Sequence, residues 1–421
     1  MRAYLPLSCA LAFTLSASAC SSDKEDSKNT GDGGMTASTG GKAATGGEST
    51  AMGGDGAATG GTNSSTGGAR QTGGASSSTG GARQTGGASS STGGTVGAGT
   101  GVCGAQKGQL FGADYPFNQR IDSTPLDSES AAIIGYLQQN HTGSARFRID
   151  GPSDEANNTY GIVLLKADAS TMRQSFTQTD DFYSPDCDPA PMPIPANGAT
   201  EGETGYACEN DGDCHLIVVD SAQCRLYEMW RANRVSASSF QGGCLAVWNL
   251  SAPYSPTLRG DCCTSADAAG LPIAAHMFTA DEIAAGEIPH AIRFILPNQL
   301  MRSRIYVRPA THSTQATSGP ASAPPYGARM RLKASFNESS LKPAARVVAV
   351  ALKRYGMILS DGGNLTFTAA NDRFTTAKWA DVGLSPGDLT SLTWNDFEVP
   401  ELGMRYTWDN SCDCQRTPIS Q

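Results

Sequence analysis

Between Ser21 and Gly101 the chain has no Phe, Trp or Tyr, and almost no Val, Ile or Leu. A stretch of that kind cannot bury enough apolar surface to offset the entropy of ordering it, which excludes a folded domain there. Other absences narrow the rest. After the leader, no apolar run approaches the roughly 20 residues of a spanning helix. There is no CxxC pair and no Cys/His cluster with zinc spacing, which argues against a metal site of that kind. GxSxG, HExxH and a phosphate-binding glycine loop are missing as well. Cations are in deficit: the net charge is −9, which argues against nucleic acid as a partner. Nothing in the sequence implies a cofactor.

What is present begins with a leader. Met1-Arg2 is followed by an apolar run from Leu5 to Leu15 and then Ser16-Ala17-Ser18-Ala19-Cys20. One positive charge, a short apolar core and small residues describe a secretory signal over residues 1–19. Ala17 and Ala19 ahead of Cys20 resemble the lipobox of bacterial lipoproteins; an ordinary leader is the other reading. The resemblance implies lipidation at Cys20, by a diacylglycerol on its thiol and an acyl chain on its freed amine. A membrane is then a partner through that lipid, since several acyl chains anchor stably. Ser21 in place of Asp leans toward the outer membrane, so the expected location is the cell envelope, as an outer-membrane lipoprotein or at the cell surface.

Residues 20–102 read as a disordered Gly/Ser/Thr-rich linker. A thirteen-residue unit starting at Thr66 recurs at Thr79 and begins again at Thr92, with no apolar position to stack. A coil of about 80 such residues reaches roughly 50 Å. Aromatic and β-branched residues return at Val102-Cys103, and residues 103–421 are expected to form a single β-rich domain. Ten cysteines remain once Cys9 leaves with the leader and Cys20 is lipidated. An even number in an oxidising space reads as up to five disulfides.

Two-residue alternation suggests strands at 145–150, 160–166, 215–220, 225–231, 244–249, 290–296, 304–308, 328–336, 356–359 and 364–369. One helix is expected after Asp127 as N-cap, with Ala131, Ile134 and Leu137 on one face. Another is expected over 341–355, with Val347, Val348, Ala351 and Leu352 inward and Gly356 ending it. The fold class this suggests is mainly β: a β-sandwich of jelly-roll type with one or two short packed helices. Ser313–Pro325 reads as a surface loop.

The polar residues suggest a site. A hairpin pairing Asp220 with Arg225 sets His215 opposite Trp230 and Ile217 opposite Glu228. An acid, an imidazole and an indole then share an apolar surface, which suits a general acid and a sugar ring. The competing reading pairs Glu228 with an arginine and makes His215 a core residue. Arg329, Arg331 and Lys333 alternate with apolar residues, as solvent-facing charge or as a cationic groove for an anionic polymer. His290 and Arg293 fall on opposite faces of one strand. Tyr306, Arg308, Ala310 and His312 share a side if extended. Tyr, His and Arg together suit β-elimination of a uronate. A paired-carboxylate hydrolase would instead draw on Glu228, Asp267 and Glu287. Asp267 reads equally as a turn residue and as a site wall, with Gly270 allowing close backbone approach. The acidic loop Cys208–Cys214 reads as a disulfide-closed surface loop, with Ca²⁺ binding as the other reading, although the distal glutamate spacing of an EF-hand is missing.

His215-Leu-Ile-Val-Val-Asp, Ser265-Ala-Asp-Ala-Ala-Gly-Leu-Pro, Gly286-Glu-Ile-Pro-His-Ala-Ile-Arg-Phe, Pro309-Ala-Thr-His, Arg331-Leu-Lys and Ser360-Asp-Gly together resemble an uncharacterised family of secreted bacterial proteins. The resemblance spans most of Phe111 to Val399 and implies one domain. The extra cysteines and the 313–325 loop look like local elaborations and therefore poor choices for a site. The functional expectation is a surface-tethered lipoprotein acting on polysaccharide, as a glycoside hydrolase or lyase. Glu228, His215, His290 and His312 are its candidate acid–base groups. Trp230, Arg308, Arg329, Arg331 and Tyr306 are its candidate binding groups. A non-catalytic glycan- or protein-binding envelope lipoprotein is the alternative.

Overall fold

The hairpin that the sequence suggests is present with that register: Ile217 faces Glu228 and Asp220 faces Arg225. The structure is a computed structural model that describes residues 102–142, 146–150, 160–209, 212–237, 239–409 and 411–420. The leader, Cys20, the linker repeat and Ala145 lie outside the described residues. The hairpin is the centre of a four-stranded sheet ordered Leu164–Ala167, Leu216–Asp220, Arg225–Trp230, Cys244–Asn249. Its first pair is parallel and the other two are antiparallel.

This sheet is a partition, buried on both faces. Ile217, Val219, Leu226, Ala246 and Trp248 enter the larger core. Leu216, Val218, Tyr227, Met229, Leu245 and Val247 enter a second core with Met192, Ile194, Tyr206 and Phe240. Double burial explains why Leu216–Val219 is a continuous apolar run instead of an alternating one.

A five-stranded sheet contributes to the same larger core, ordered Thr366–Phe367, Ile292–Leu296, Met357–Gly362, Arg329–Leu332, Phe397–Glu398. Its Ile292–Leu296 and Met357–Gly362 strands are parallel. The chain is therefore mainly β with several sheets and few short helices, as expected. The parallel pairs depart from the antiparallel plan of a jelly roll. Alternation reports which faces are buried, not the direction of a neighbouring strand.

The Ser130–Asn140 helix buries Ile133, Ile134 and Leu137, while Ala131 is exposed. Asp127 is not its N-cap. Its carboxylate accepts from the backbone N–H of Glu129 and Leu402 and pairs with Arg405, tying the helix entry to the far end of the chain. The Pro343–Arg354 helix begins with Pro at its first turn and buries Val348, Ala351 and Leu352. Gly356 follows it with φ +73° and donates to the Ala351 carbonyl. A Cβ there would stand 2.5 Å from the Met330 carbonyl oxygen. Five disulfides join all ten cysteines from Cys103 onward. Among the described residues no helix is long and apolar enough to cross a membrane.

Gly356→Ala meets both a left-handed backbone and a backbone clash. It is expected to cost about 1–3 kcal/mol, read as a lower midpoint in chemical denaturation. A midpoint equal to wild type would show that neither constraint is real.

Candidate functional site

The segment Thr264–Pro272 is built from small residues, and that lets it run between the two sheets. Ser265, Ala266, Asp267 and Ala269 are all buried. Gly270 has φ +75°, and a Cβ there would sit 2.1 Å from Thr311 Oγ1 and 2.5 Å from the Cys263 carbonyl oxygen. Its N–H closes a turn on the Asp267 carbonyl at 2.9 Å. Asp267 is thus both turn residue and wall support.

The Asp267 carboxylate is fully buried against Arg293, whose Nη2 donates to Oδ1 at 2.9 Å and whose Nε donates to Oδ2 at 3.4 Å. Ser360 Oγ also donates to it. Arg293 Nη1 donates to Thr368 Oγ1 at 2.9 Å, and Nη2 reaches Asp361 Oδ2 at 3.3 Å. Two carboxylates therefore share one guanidinium. Burial, and then the negative charge on Asp267, push the Asp361 carboxyl up to about 7, with Arg293 pulling the other way. Asp361 is the outer member, with 24% of its side chain exposed.

That exposed side lines a cavity of about 720 Å³. Trp230 and Cys244 come to it from the four-stranded sheet, Ser265 and Ala266 from the small-residue segment, and Trp408 and Cys414 from the C-terminal tail. The size falls in the range of small-ligand sites, roughly 300–1,000 Å³. Trp230 Nε1 donates to Asp213 Oδ1 at 3.0 Å, and a Cβ on Gly243 would stand 2.8 Å from the indole. Neighbouring cysteines hold the tail: Cys262 bonds Cys412 and Cys263 bonds Cys414. Arg416 and the Ile419 N–H both bond the fully buried Asp188, which also pairs with Arg259. The cysteines and the 313–325 loop, set aside on the sequence, thus build the wall, the loop through Thr314 and Gln315.

His312 is the one member of the expected acid–base set that lines this cavity. Its Nδ1 lies 2.8 Å from the Ala268 carbonyl oxygen, and its ring meets Trp408 edge-on at 4.9 Å. Burial lowers its pKa, so the ring is neutral at pH 7.

The other three are sealed. Glu228 is 0% exposed. Its carboxylate accepts from Trp248 Nε1 at 2.9 Å and from the Ala274 N–H at 2.7 Å, and burial raises its pKa to about 7. It stitches the sheet to the short turn at Ala274–His276 that follows the small-residue segment, and its partners are an indole and a backbone amide instead of an arginine. His215 sets Nδ1 against the Glu201 carboxylate and Nε2 against the Ala266 carbonyl at 3.0 Å. Both partners are acceptors, so the ring holds both protons. Burial opposes that charge, but Glu201 outweighs it and the pKa rises to about 9. His290 is held alike, between the Ala291 carbonyl at 2.8 Å and Glu282 at 3.0 Å.

Of the expected binding groups, Trp230 lines the cavity and the cations do not. Arg329 donates to the carbonyls of Pro116, Gln119 and Tyr355. Arg331 is spent on Glu398 and the carbonyls of Ile121 and Thr124. The charged strand face is covered by the 116–124 segment and forms no groove. Tyr306 and Arg308 meet on Asp261, at 2.9 and 2.8 Å, and burial with that bond raises the Tyr306 pKa, keeping its proton. Two clusters with metal-like donors, Asp186/Cys263/Cys414 and Glu203/Cys208/Cys214, draw their sulfurs from disulfides and so offer no thiolate.

Comparison with protein-family models, curated proteins and solved structures returns no match. The chemistry is therefore read from the cavity's own residues. Asp361 and Trp408 are among the members that periodicity does not single out. Asp361 falls within Ser360-Asp-Gly, one of the blocks that carried the family resemblance, whereas Trp408 lies beyond all of them.

The His215–Glu201 pair sets a pH window. A raised histidine pKa contributes stability fully present below the unfolded value of 6.5 and lost as pH rises through about 9. Glu201, lowered, contributes above its ordinary range and loses that in acid. Between roughly pH 6.5 and 9.5 the wild type is expected to lose on the order of 2–3 kcal/mol more than His215→Gln in urea denaturation. Parallel curves for the two proteins would remove His215 as the source.

Proposed function

We propose that this chain is an exported lipoprotein, acylated at Cys20, that holds a glycan in the cavity between Trp230 and Trp408. The cavity carries the reading. Two half-buried indoles line it, and indole surfaces suit the apolar face of a sugar ring. Asp186, Asp213 and Gln315, which also line it, supply hydrogen-bonding groups for hydroxyls. Five disulfides belong to an oxidising compartment, which agrees with the leader. Holding is better supported than cleavage by Glu228, His215 and His290, because all three are buried and hydrogen-bonded within the fold. β-Elimination of a uronate is disfavoured for a separate reason. Arg308, Arg329 and Arg331, its expected charge neutralisers, are spent on Asp261, backbone carbonyls and Glu398.

Titration of the mature chain with a panel of neutral and acidic oligosaccharides, followed by tryptophan fluorescence and calorimetry, tests the reading. Binding is expected for at least one class. Trp230→Ala and Trp408→Ala should each weaken it by about tenfold or more, the loss of an aromatic anchor. Labelled palmitate should enter the wild type and not Cys20→Ala. Absence of binding across the panel, or binding indifferent to both tryptophans, would sink the glycan reading.

A further inference from the structure

Granted the glycan-holding role proposed above, we propose that the same cavity hydrolyses glycosidic bonds between uncharged sugars, with Asp361 as proton donor to the leaving oxygen and His312 Nε2 as proton acceptor from the attacking water. The assignment starts from which hydrogens each group holds. The Ala268 carbonyl can only accept, so His312 Nδ1, 2.8 Å away, carries the ring's hydrogen. The neutral ring then has its lone pair on Nε2. Trp408 packs edge-on against the imidazole and fixes its plane. Asp361 is the complementary partner. Its Oδ2 is 3.3 Å from Arg293 Nη2, but Arg293 already serves Asp267, so one guanidinium faces two carboxylates. The excess negative charge is relieved by a proton, and the outer carboxyl, at the cavity, is the one that water can reach. Asp267 and Arg293 are positioning residues behind it.

Cleavage then balances without any further reagent. The water oxygen bonds to the anomeric carbon as the bond from that carbon to the bridging oxygen breaks. The Asp361 proton goes to the bridging oxygen, which leaves as an alcohol, and one water proton goes to His312 Nε2. The imidazolium afterwards returns its proton through solvent to the Asp361 carboxylate. The charge of the walls fits this reaction and selects its substrate. Asp186, Asp213 and Asp413 line the cavity, and no Lys or Arg does among the described residues. Such walls favour the positive charge that develops on the sugar ring and repel a uronate.

The test incubates the mature chain with neutral hexasaccharides (gluco-, xylo-, manno- and galacto-configured), with oligogalacturonate, and with 2,4-dinitrophenyl glycosides of the same neutral sugars. Reducing ends should be released from at least one neutral series and not from oligogalacturonate. Asp361→Asn should lower that rate by about 10³-fold, the worth of a general acid. The same variant should lower the dinitrophenyl glycoside rate by less than about tenfold, because that leaving group needs no proton. His312→Gln should depress both, with glycan binding retained in each variant. Should Asp361→Asn prove too unstable to purify, the wild type decides. Its oligosaccharide rate should fall as pH rises through about 7 while the dinitrophenyl rate holds. Binding of neutral oligosaccharides without products overturns this inference and leaves the holding role intact. Cleavage confined to uronates overturns it too, as does an equal loss on both substrate types in Asp361→Asn. Absence of any binding removes both readings.

Discussion

The sharing of Arg293 by Asp267 and Asp361 is the constraint on which the rest of the molecule turns. Arg293 belongs to the five-stranded sheet, Asp267 to the small-residue segment, and Asp361 to the neighbouring parallel strand. A buried guanidinium is tolerable only if its donors are filled, and here Nε, Nη1 and Nη2 all have acceptors. The four-stranded sheet reaches the same segment through His215 to the Ala266 carbonyl, and the short turn just beyond it through Glu228 to the Ala274 N–H. A chain of small residues is thus held between two sheets by polar bonds from both. The apolar core gives that arrangement its mass, while these bonds fix where the segment lies and therefore where the cavity opens.

The parts of the fold that were legible in the sequence are those set by neighbours in the chain. A four-residue turn and two alternating runs were enough to register Ile217 against Glu228. Apolar spacing and Gly356 located the Pro343–Arg354 helix. Contacts made at long range were not legible. Glu228 reads as a reactive acid because its neighbours in sequence are apolar, yet its partners Trp248 and Ala274 stand 20 and 46 residues further on. Alternation put Arg329 and Arg331 on one face correctly, but it cannot show that the carbonyls of residues 116–124 lie over that face. His312 and Trp230 were visible as chemistry-bearing residues. Their shared cavity was not, because its wall is assembled from segments far apart in the chain, from Tyr183 to the tail residues Trp408 and Cys414.

The pKa displacements follow one rule. Where burial is answered by an opposite charge, as at His215 and His290, the charged form is retained. Where burial meets only neutral donors, as at Glu228, or a second carboxylate shares the one guanidinium, as at Asp361, the carboxyl pKa rises instead. Glu228 and Asp361 both rise to about 7, yet only one of them touches open space. An altered acidity alone therefore did not separate a structural carboxyl from a reactive candidate; access did.

The tail that closes the cavity is bonded to Cys262 and Cys263 across 150 and 151 residues of chain. The four- and five-stranded sheets are complete by Glu398, whereas Trp408 packs against the larger core and Arg416 and the Ile419 N–H reach the buried Asp188 from beyond them. The strands of both sheets are therefore made before the tail, and the tail's place depends on two adjacent sulfurs each taking the right one of two closely spaced mates. The position of that wall of the cavity is thus written in the oxidation state of four atoms.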